Sequence, residues 1–512
     1  MTATAATTPV AAGRKPVFSD GYKRLVLGLL LAAYTFNFID RTIIATIGPK
    51  IREDLGLTST QIGLLGGLYF ALLYTTLGIP IARLAERFSR VSIISTAVVI
   101  WSGFTALCGM AGSFAILAAC RFGVGIGEAG LSPPAHSLIS DYFEPRKRAS
   151  ALGVYSFGIP LGTMFGAVAG GWIAQNFSWR MAFMLVGLPG VLIALMIKLA
   201  IREPPRGHSE REAEEPARNV DELTPVAVPA SKRHWLAEEM REMTAVARAL
   251  FTSWPVVNMI LGITLASFGA YGAGQFVPQY FRAAYHLDLA MVGLIVGLVA
   301  GLSTGLGTLV GGFLTDRMSR RSPAWYALTP AIGLTIATPI YIFAYTRPTW
   351  QGAALALLVP GVFHYTYLAP TFGVIQNMVE VRRRATAAAL MLFFLNLIAL
   401  GGGPPFTGWL IDRFAQFDIN HPAVQGVIGK LAHLFDPISG LSANQACPGG
   451  IAPKTADAAA KVLCATTLTR STQEGIVVSV CFYLWAGLDY FLGAMGLGRA
   501  LERARALRGE AG

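Results

Sequence analysis

The sequence predicts an all-α membrane protein with twelve transmembrane helices in two six-helix bundles. Three observations carry the prediction. Of 512 residues, 54% are hydrophobic and only 14% are charged, against roughly 25% charged in an ordinary soluble domain. Apolar stretches near the roughly 20 residues needed to cross a bilayer recur along the chain. Short motifs of the first half return, in order, in the second. Continuous apolar runs exclude a transmembrane barrel, whose strands alternate. The composition also excludes disorder and a disulfide-stapled secreted scaffold. The formal charge of +12 lies in loops, so it points to membrane orientation and not to nucleic acid.

Spans are expected at 24–48, 60–82, 91–112, 114–140, 149–175, 180–200, 254–282, 289–314, 324–346, 350–377, 385–411 and 472–498. Lys23, Arg24, Arg83, Arg87, Arg90, Arg146, Lys147 and Arg148 fall on one side, as do Arg317, Arg320, Arg321, Arg382, Arg383, Arg384, Arg499, Arg503, Arg505 and Arg508. The opposite loops carry little charge apart from Lys50 and Arg52. The positive-inside rule then puts both termini in the cytoplasm. The chain thus divides into a tail 1–23, a bundle 24–200, a linker 201–253, a bundle 254–498 and a tail 499–512. The first tail has no apolar core of a signal peptide, so the first helix is expected to act as an uncleaved insertion signal.

Two polar stretches interrupt the spans. Within 201–253, Trp235, Leu236, Met240, Met243, Ala247 and Leu250 recur at helical spacing. They suit an interfacial helix on the cytoplasmic surface; a flexible linker is the alternative. The outer stretch 413–471 contains Cys447 and Cys464. In an oxidising compartment these either pair or remain free thiols.

The repeat is specific. Gln61-Ile-Gly-Leu matches Met291-Val-Gly-Leu, and Ala85-Glu86-Arg87-Phe88-Ser89-Arg90 matches Thr315-Asp316-Arg317-Met318-Ser319-Arg320, both at an offset of 230. Pro134 and Arg148-Ala-Ser-Ala match Pro370 and Arg384-Ala-Thr-Ala at an offset of 236. The halves are therefore related bundles in parallel repeat, an architecture that rocks about a central site. The two acidic-Arg-x-x-Arg loops resemble the loop motif of the major facilitator superfamily, and Arg121-Phe-Gly-Val-Gly resembles its fourth-helix motif. Asn37-Phe-Ile-Asp40-Arg41 and Gly127-Glu128-Ala129 resemble the spinster lipid-transporter branch. Ala82 and Glu86 stand where the superfamily usually has Gly and Asp, and the outer loop before span twelve is unusually long. Gly158, Gly162, Gly166 and Gly170 in span five, and Gly297, Gly301 and Gly305 in span eight, form small-residue stripes. Such stripes let helices approach closely, and the resemblance implies that spans five and eight meet between the halves. Gly153, Gly162, Gly166, Gly170 and Gly171 have the spacing of the superfamily's antiporter motif, with Ala167 in place of its Pro; this leans towards export.

Four charged residues stand out deep inside spans one and four: Asp40, Arg41, Arg121 and Glu128. A charge at mid-bilayer costs on the order of 3 kcal/mol or more, which makes each a functional hypothesis. Helical rise puts Asp40 about 14 Å and Arg121 about 12 Å from the outer end, with Glu128 about 10 Å deeper than Arg121. Asp40 is expected to pair with Arg121 or Arg41. Asp40 and Glu128 are the expected proton-coupling groups, and Arg41 and Arg121 the headgroup or ion-pair partners. A purely structural network holding the two helices together is the alternative.

Asn37, Tyr271, Gln275, His364 and Asn396 are further cavity candidates. His364 aligns with Glu128 at the offset of 236; it is either a titrating group or a core histidine held by Tyr365 or Tyr367. Glu86, Arg87, Arg90, Asp316, Arg317 and Arg320 are the candidate cytoplasmic gate implied by the resemblance. A charged wall opposite an apolar, aromatic one suits an amphiphile, in line with the lysophospholipid or sphingolipid cargo that spinster resemblance implies. The expectation is a proton-coupled carrier, exporting rather than importing, with H⁺ as coupling ion and no other cofactor. It would act as a monomer in the cell (inner) membrane. A carrier of small organic anions or drugs is the second reading; a scramblase or sensor is the third. No Walker loop, metal-ligand spacing or nucleophile triad suggests an enzyme.

Overall fold

The computed structural model describes residues 18–209, 235–380, 383–424, 426–437 and 440–507. Twelve helices are long and apolar enough to cross a membrane. In order they are span 1 (Asp20–Leu55), span 2 (Ser59–Arg87), span 3 (Arg90–Cys108), span 4 (Phe114–Tyr142), span 5 (Ser150–Asn176) and span 6 (Trp179–Ala200). The second half has span 7 (Trp254–Tyr285), span 8 (Leu289–Ser319), span 9 (Trp325–Tyr345), span 10 (Trp350–Asn377), span 11 (Thr386–Asn420) and span 12 (Ala458–Ala494). An even number of crossings returns the chain to the end where it began, here termed the terminus end. The loop end carries residues 421–457.

Several boundaries differ from the hydropathy reading. Span 1 begins at Asp20, within the expected tail 1–23, because Ser19 accepts the Tyr22 N–H. It runs past residue 48 to Leu55, where Gly56 takes a left-handed conformation (φ 63°). The expected outer stretch 413–471 shrinks to 421–457, since span 11 continues to Asn420 and span 12 starts at Ala458. Polar groups hold those extensions. Asp457 caps span 12 by accepting the Ala460 N–H at 2.8 Å. The buried Lys430 ammonium donates to Asp418 at 2.7 Å and to Glu474 at 2.6 Å. Hydropathy marks where lipid ends, whereas a helix ends where its backbone loses partners. Span 12 stops at Ala494, and the tail expected from residue 499 is a separate helix, Leu497–Leu507.

Helix starts repeat with the sequence. Thr58 accepts the Gln61 N–H, and Asp288, 230 residues on, accepts the Met291 N–H. Ser113 caps span 4 and Thr349, at the offset of 236, caps span 10. Each such cap is worth about 1 kcal/mol. Even the sole left-handed non-glycine residue described, His286 (φ 52°), stands 230 residues after Gly56.

The amphipathic stretch forms a helix over Trp235–Phe251. Its inward face buries Val246 and Leu250, and Phe251 meets Phe394 edge-on at 5.4 Å between ring centres. The helix thus docks on the start of span 11. Linker residues 210–234 lie outside the described residues.

The glycine stripe of span 5 does not face span 8. A Cβ at Gly162 would lie 2.4 Å from the Thr35 carbonyl oxygen, and one at Gly170 would lie 2.7 Å from Ile43, so this face packs on span 1. Gly171 faces the other half: its Cβ would sit 2.3 Å from the Leu289 carbonyl. Span 8 answers with Gly293, whose Cβ would meet the Ala167 carbonyl at 2.2 Å. The repeat builds the mirror contact with span 2, where a Cβ at Gly63 would strike the Pro404 carbonyl at 2.2 Å.

Candidate functional site

Spans 1 and 4 bring all four charged residues together, but as two separate pairs. Asp40 accepts from Arg121 Nη1 at 3.2 Å and from the Thr105 hydroxyl at 2.7 Å. Arg121 Nε also donates to the Leu65 carbonyl at 3.2 Å. Both side chains are at most 2% exposed. This pair is enclosed by spans 1 to 4 of its own bundle. Arg41 takes the other carboxylate: its Nε donates to Glu128 Oε2 at 2.7 Å. Arg41 is 17% exposed and Glu128 fully buried. Glu128 Oε1 has no hydrogen-bond partner among the described residues.

An aromatic sleeve surrounds Arg41. Its guanidinium carbon lies 4.4 Å from the ring centre of Tyr74, 4.9 Å from Phe70 and 5.1 Å from Phe38. Cation–π attraction of about 0.5–2 kcal/mol per well-placed ring holds the cation while leaving N–H groups free to change partners. Tyr34 stacks on Tyr155 at 4.3 Å beside this group. These aromatics were not singled out from the sequence. The signal was present in the helical spacing of Tyr34, Phe38 and Arg41, and of Phe70 and Tyr74, yet aromatic residues at that spacing occur on most membrane helices.

The remaining candidates separate. Tyr271 of span 7 is 38% exposed and lies within electrostatic reach of Arg41, Tyr74 and Tyr365, so it faces the N-terminal site from the opposite half. Asn37 is buried, and neither its oxygen nor its nitrogen has a partner among the described residues. Asn396 is half-buried in a π-helical segment, Leu395–Leu400, that interrupts span 11. Gln275 instead reaches across the halves: a Cβ on Gly66 would lie 2.3 Å from its Oε1, which makes it part of the loop-end seal. His364 sits inside the second bundle, stacked on Tyr365 at 4.7 Å and close to Tyr483 at 4.5 Å. Its Nδ1 lies 3.3 Å from the Tyr341 hydroxyl. Tyr365 and Tyr367 flank the ring, and its polar contact is with Tyr341.

The candidate gate residues also divide. Glu86 pairs with Arg83 at 3.3 Å within its own helix, and Arg87 is exposed. Asp316, Arg317 and Arg320 are exposed and make no ion pair among the described residues. Arg90 is different. It is buried, bonded to Asp141, and donates to Glu203 at 2.7 Å and to the Pro204 carbonyl at 2.9 Å. It ties span 3 to span 4 and to the segment after span 6, away from the other half. Burial alone would raise the Glu203 carboxyl, but the Val91 N–H and the Arg90 guanidinium outweigh it and hold it below the usual carboxylate range.

Cross-half polar contacts gather at the loop end. Asp412 of span 11 caps span 2, accepting from the N–H groups of Ser59 at 2.8 Å and Thr60 at 2.7 Å and from the Thr60 hydroxyl at 2.6 Å. The repeat mirrors this: Gln175 of span 5 accepts the Leu289 N–H at 3.2 Å at the start of span 8. Arg282 pairs with Glu53. Cys447 and Cys464 form a disulfide within the loop-end cap. Asp412 was not anticipated, because an acidic residue near a helix end reads as an ordinary interfacial charge. Among the described residues no three His, Cys, Asp or Glu side chains are grouped to hold a metal ion.

The family model described as Major Facilitator Superfamily matches residues 30–404. A solved bacterial homologue of the human lysosomal transporter spinster, inward-facing and unoccupied, is 32% identical, with a TM-score of 0.76 over 95% of this chain and 99% of that one. An MFS-type efflux pump of Mycolicibacterium smegmatis is 29% identical over 76% of this chain and 85% of its own length. The mouse sphingosine-1-phosphate transporter SPNS2 is 25% identical over 77% of this chain and 71% of its length.

Proposed function

This chain belongs to the Major Facilitator Superfamily, in its spinster branch, and is a multi-pass membrane transporter and not an enzyme; we propose that it is a proton-coupled exporter of an anionic, lipid-like amphiphile. The Arg41–Glu128 pair carries the reading. Glu128 holds one carboxylate oxygen against Arg41 and leaves the other without a partner in a buried position. A proton taken onto that free oxygen neutralises the carboxylate and releases Arg41, still held by its aromatic sleeve, to bind an anionic headgroup. When the proton leaves, the carboxylate competes for Arg41 and the headgroup is displaced. The tail would lie along the aromatic face that includes Tyr271 and the half-buried start of the π segment. In this scheme the enclosed Asp40–Arg121 pair sets the height of span 4 and shares in proton coupling through Arg121.

Closure at the loop end, with Asp316, Arg317 and Arg320 exposed at the other end and without an ion pair among the described residues, supports an inward-facing state, with the termini cytoplasmic and the protein a monomer of the cell (inner) membrane. The efflux-pump relative supports export, and the sphingosine-1-phosphate transporter supports a phosphate-bearing lipid. A second reading, a small organic anion, is favoured by a 26%-identical probable L-galactonate transporter of Escherichia coli. Purified protein in liposomes with an imposed pH gradient separates the two. Lysophospholipid transport that collapses without the gradient is expected. Transport of a sugar acid alone would replace the lipid reading, and gradient-independent movement of either would remove the coupling.

A further inference from the structure

The repeat predicts what stands on the axis between the halves at the loop end. Residues 230 apart are equivalent there, as the left-handed caps Gly56 and His286 show. A cavity of 160 Å³ is lined by three such pairs: Pro49 with Gln279, Arg52 with Arg282, and Glu53 with Ala283. Two equivalent arginines, one from each bundle, therefore face one small chamber. The third pair breaks the symmetry, because Ala283 stands where the first half has Glu53. One carboxylate serves two guanidinium groups, and it is committed to Arg282, which donates to both its oxygens.

Arg52 is left over. It is 93% buried, being 7% exposed, and its Nε donates to the Leu57 carbonyl at 3.2 Å. Its Nη1 has no hydrogen-bond partner among the described residues. The other nearby acid, Asp412, has both oxygens engaged by Ser59 and Thr60. An arginine keeps its charge at any physiological pH, so a buried guanidinium N–H without an acceptor needs one supplied from outside. Gly449 lines the chamber in a left-handed conformation (φ 63°), and a Cβ at Gly450 would lie 2.8 Å from Arg52 Nη1. This turn follows directly on Cys447, which the disulfide fixes to Cys464 of span 12, and Leu468, one turn further along span 12, lines the chamber.

We propose that this chamber is an anion-binding site, built by Arg52 and Arg282 on the axis between the halves and sized for a phosphate-type oxyanion. Arg52 offers its unpartnered Nη1 donor to such an anion, and Arg282, whose Nη1 and Nη2 are engaged by Glu53, adds a second fixed positive charge beside it. An anion held by one arginine from each bundle adds a bond between the halves only while the loop end is closed. It therefore favours that closed state by mass action. The site is separate from the Arg41–Glu128 pair, and its occupancy is measured by binding alone, whatever the cargo or the coupling.

The test is titration calorimetry on full-length purified protein at constant ionic strength, with inorganic phosphate, glycerol 3-phosphate and its monoacylated form as probes. Saturable binding of the soluble anions is expected, weakened at least tenfold by Arg52→Gln and by Leu468→Trp, which fills the chamber without touching a charge. Binding confined to the monoacylated form, with the same response to both variants, identifies the occupant as a lipid headgroup. Absence of saturable binding by all three probes in the unaltered protein overturns the proposal. So does an affinity that Leu468→Trp leaves unchanged, and this variant decides the matter should Arg52→Gln fail to fold.

Discussion

Asp40 and Glu128 are both carboxylates in the membrane-spanning part of the same bundle, and their surroundings give them different work. Asp40 is bonded by Arg121 and Thr105 and is sealed on every side. Removing one member of such a pair leaves a buried charge and costs about 3–5 kcal/mol. Asp40→Asn is therefore expected to lower the melting temperature in detergent by many degrees, and an unchanged melting temperature would show the pair to be solvated. Glu128→Gln keeps an acceptor for Arg41 and removes the titrating group, so it should melt within a few degrees of the unaltered protein. Glu203 supplies a pH test outside the spans. Its folded-state pKa is held below the usual value, so its contribution to stability is full above about pH 4.3, the ordinary glutamate value, and is lost as pH falls through the folded value. The melting-temperature gap between the unaltered protein and Glu203→Gln should be constant near neutrality and close below about pH 4.3. A gap that persists at pH 3 would mean that Glu203 acts through shape and not charge.

At the scale of helices, close approach is decided by which glycines point at a neighbour's backbone. Gly293 is jammed against the Ala167 carbonyl, whereas a Cβ at Gly305 meets nothing within 4 Å. Overpacking typically costs about 1–3 kcal/mol, so Gly293→Leu should destabilise the protein and Gly305→Leu should not; equal melting temperatures would place the interface elsewhere. This contrast also marks what the sequence could reveal. Twelve spans, the repeat and the four embedded charges were legible, because hydropathy and motif spacing are local. The direction of a glycine stripe was not, since Gly158, Gly162, Gly166 and Gly170 carry the same small-residue signal whether they meet span 1 or span 8. The pairing of the four charges was legible only as alternatives, Asp40 with Arg121 or with Arg41, and the partner of Glu128 was not. Asp40 and Arg41 are adjacent, so their side chains diverge by about 100° around the helix, and only the packing of spans 2 to 4 selects Arg121 for one and Glu128 for the other. The ends of spans 11 and 12 escaped hydropathy because Lys430, Asp418 and Glu474 satisfy one another inside the cap.

For the whole molecule, the repeat places equivalent contacts on both sides of one axis. Asp412 at the start of span 2 and Gln175 at the start of span 8 perform the same capping across the halves. The carboxylate makes three hydrogen bonds and the amide one, so the span 2–span 11 contact is the stronger side of the seal. Asp412→Ala should weaken loop-end closure, and a cysteine introduced at Asn37 should then react several-fold faster with an impermeant reagent added from that side. Unaltered labelling would show that the seal rests on glycine packing alone. Removing charge at Asp316 should shift the balance of states while leaving proton coupling in place, read as changed probe access at the terminus end with an unchanged ratio of protons to cargo.

The coupling itself is tested most directly by proton movement. Liposomes containing the protein and a trapped pH dye are given lysophospholipid, once with the unaltered chain and once with Glu128→Gln. Exchange of partners at Arg41 predicts a cargo-triggered pH change in the first and none in the second, with both proteins folded. An equal pH change in both would contradict it.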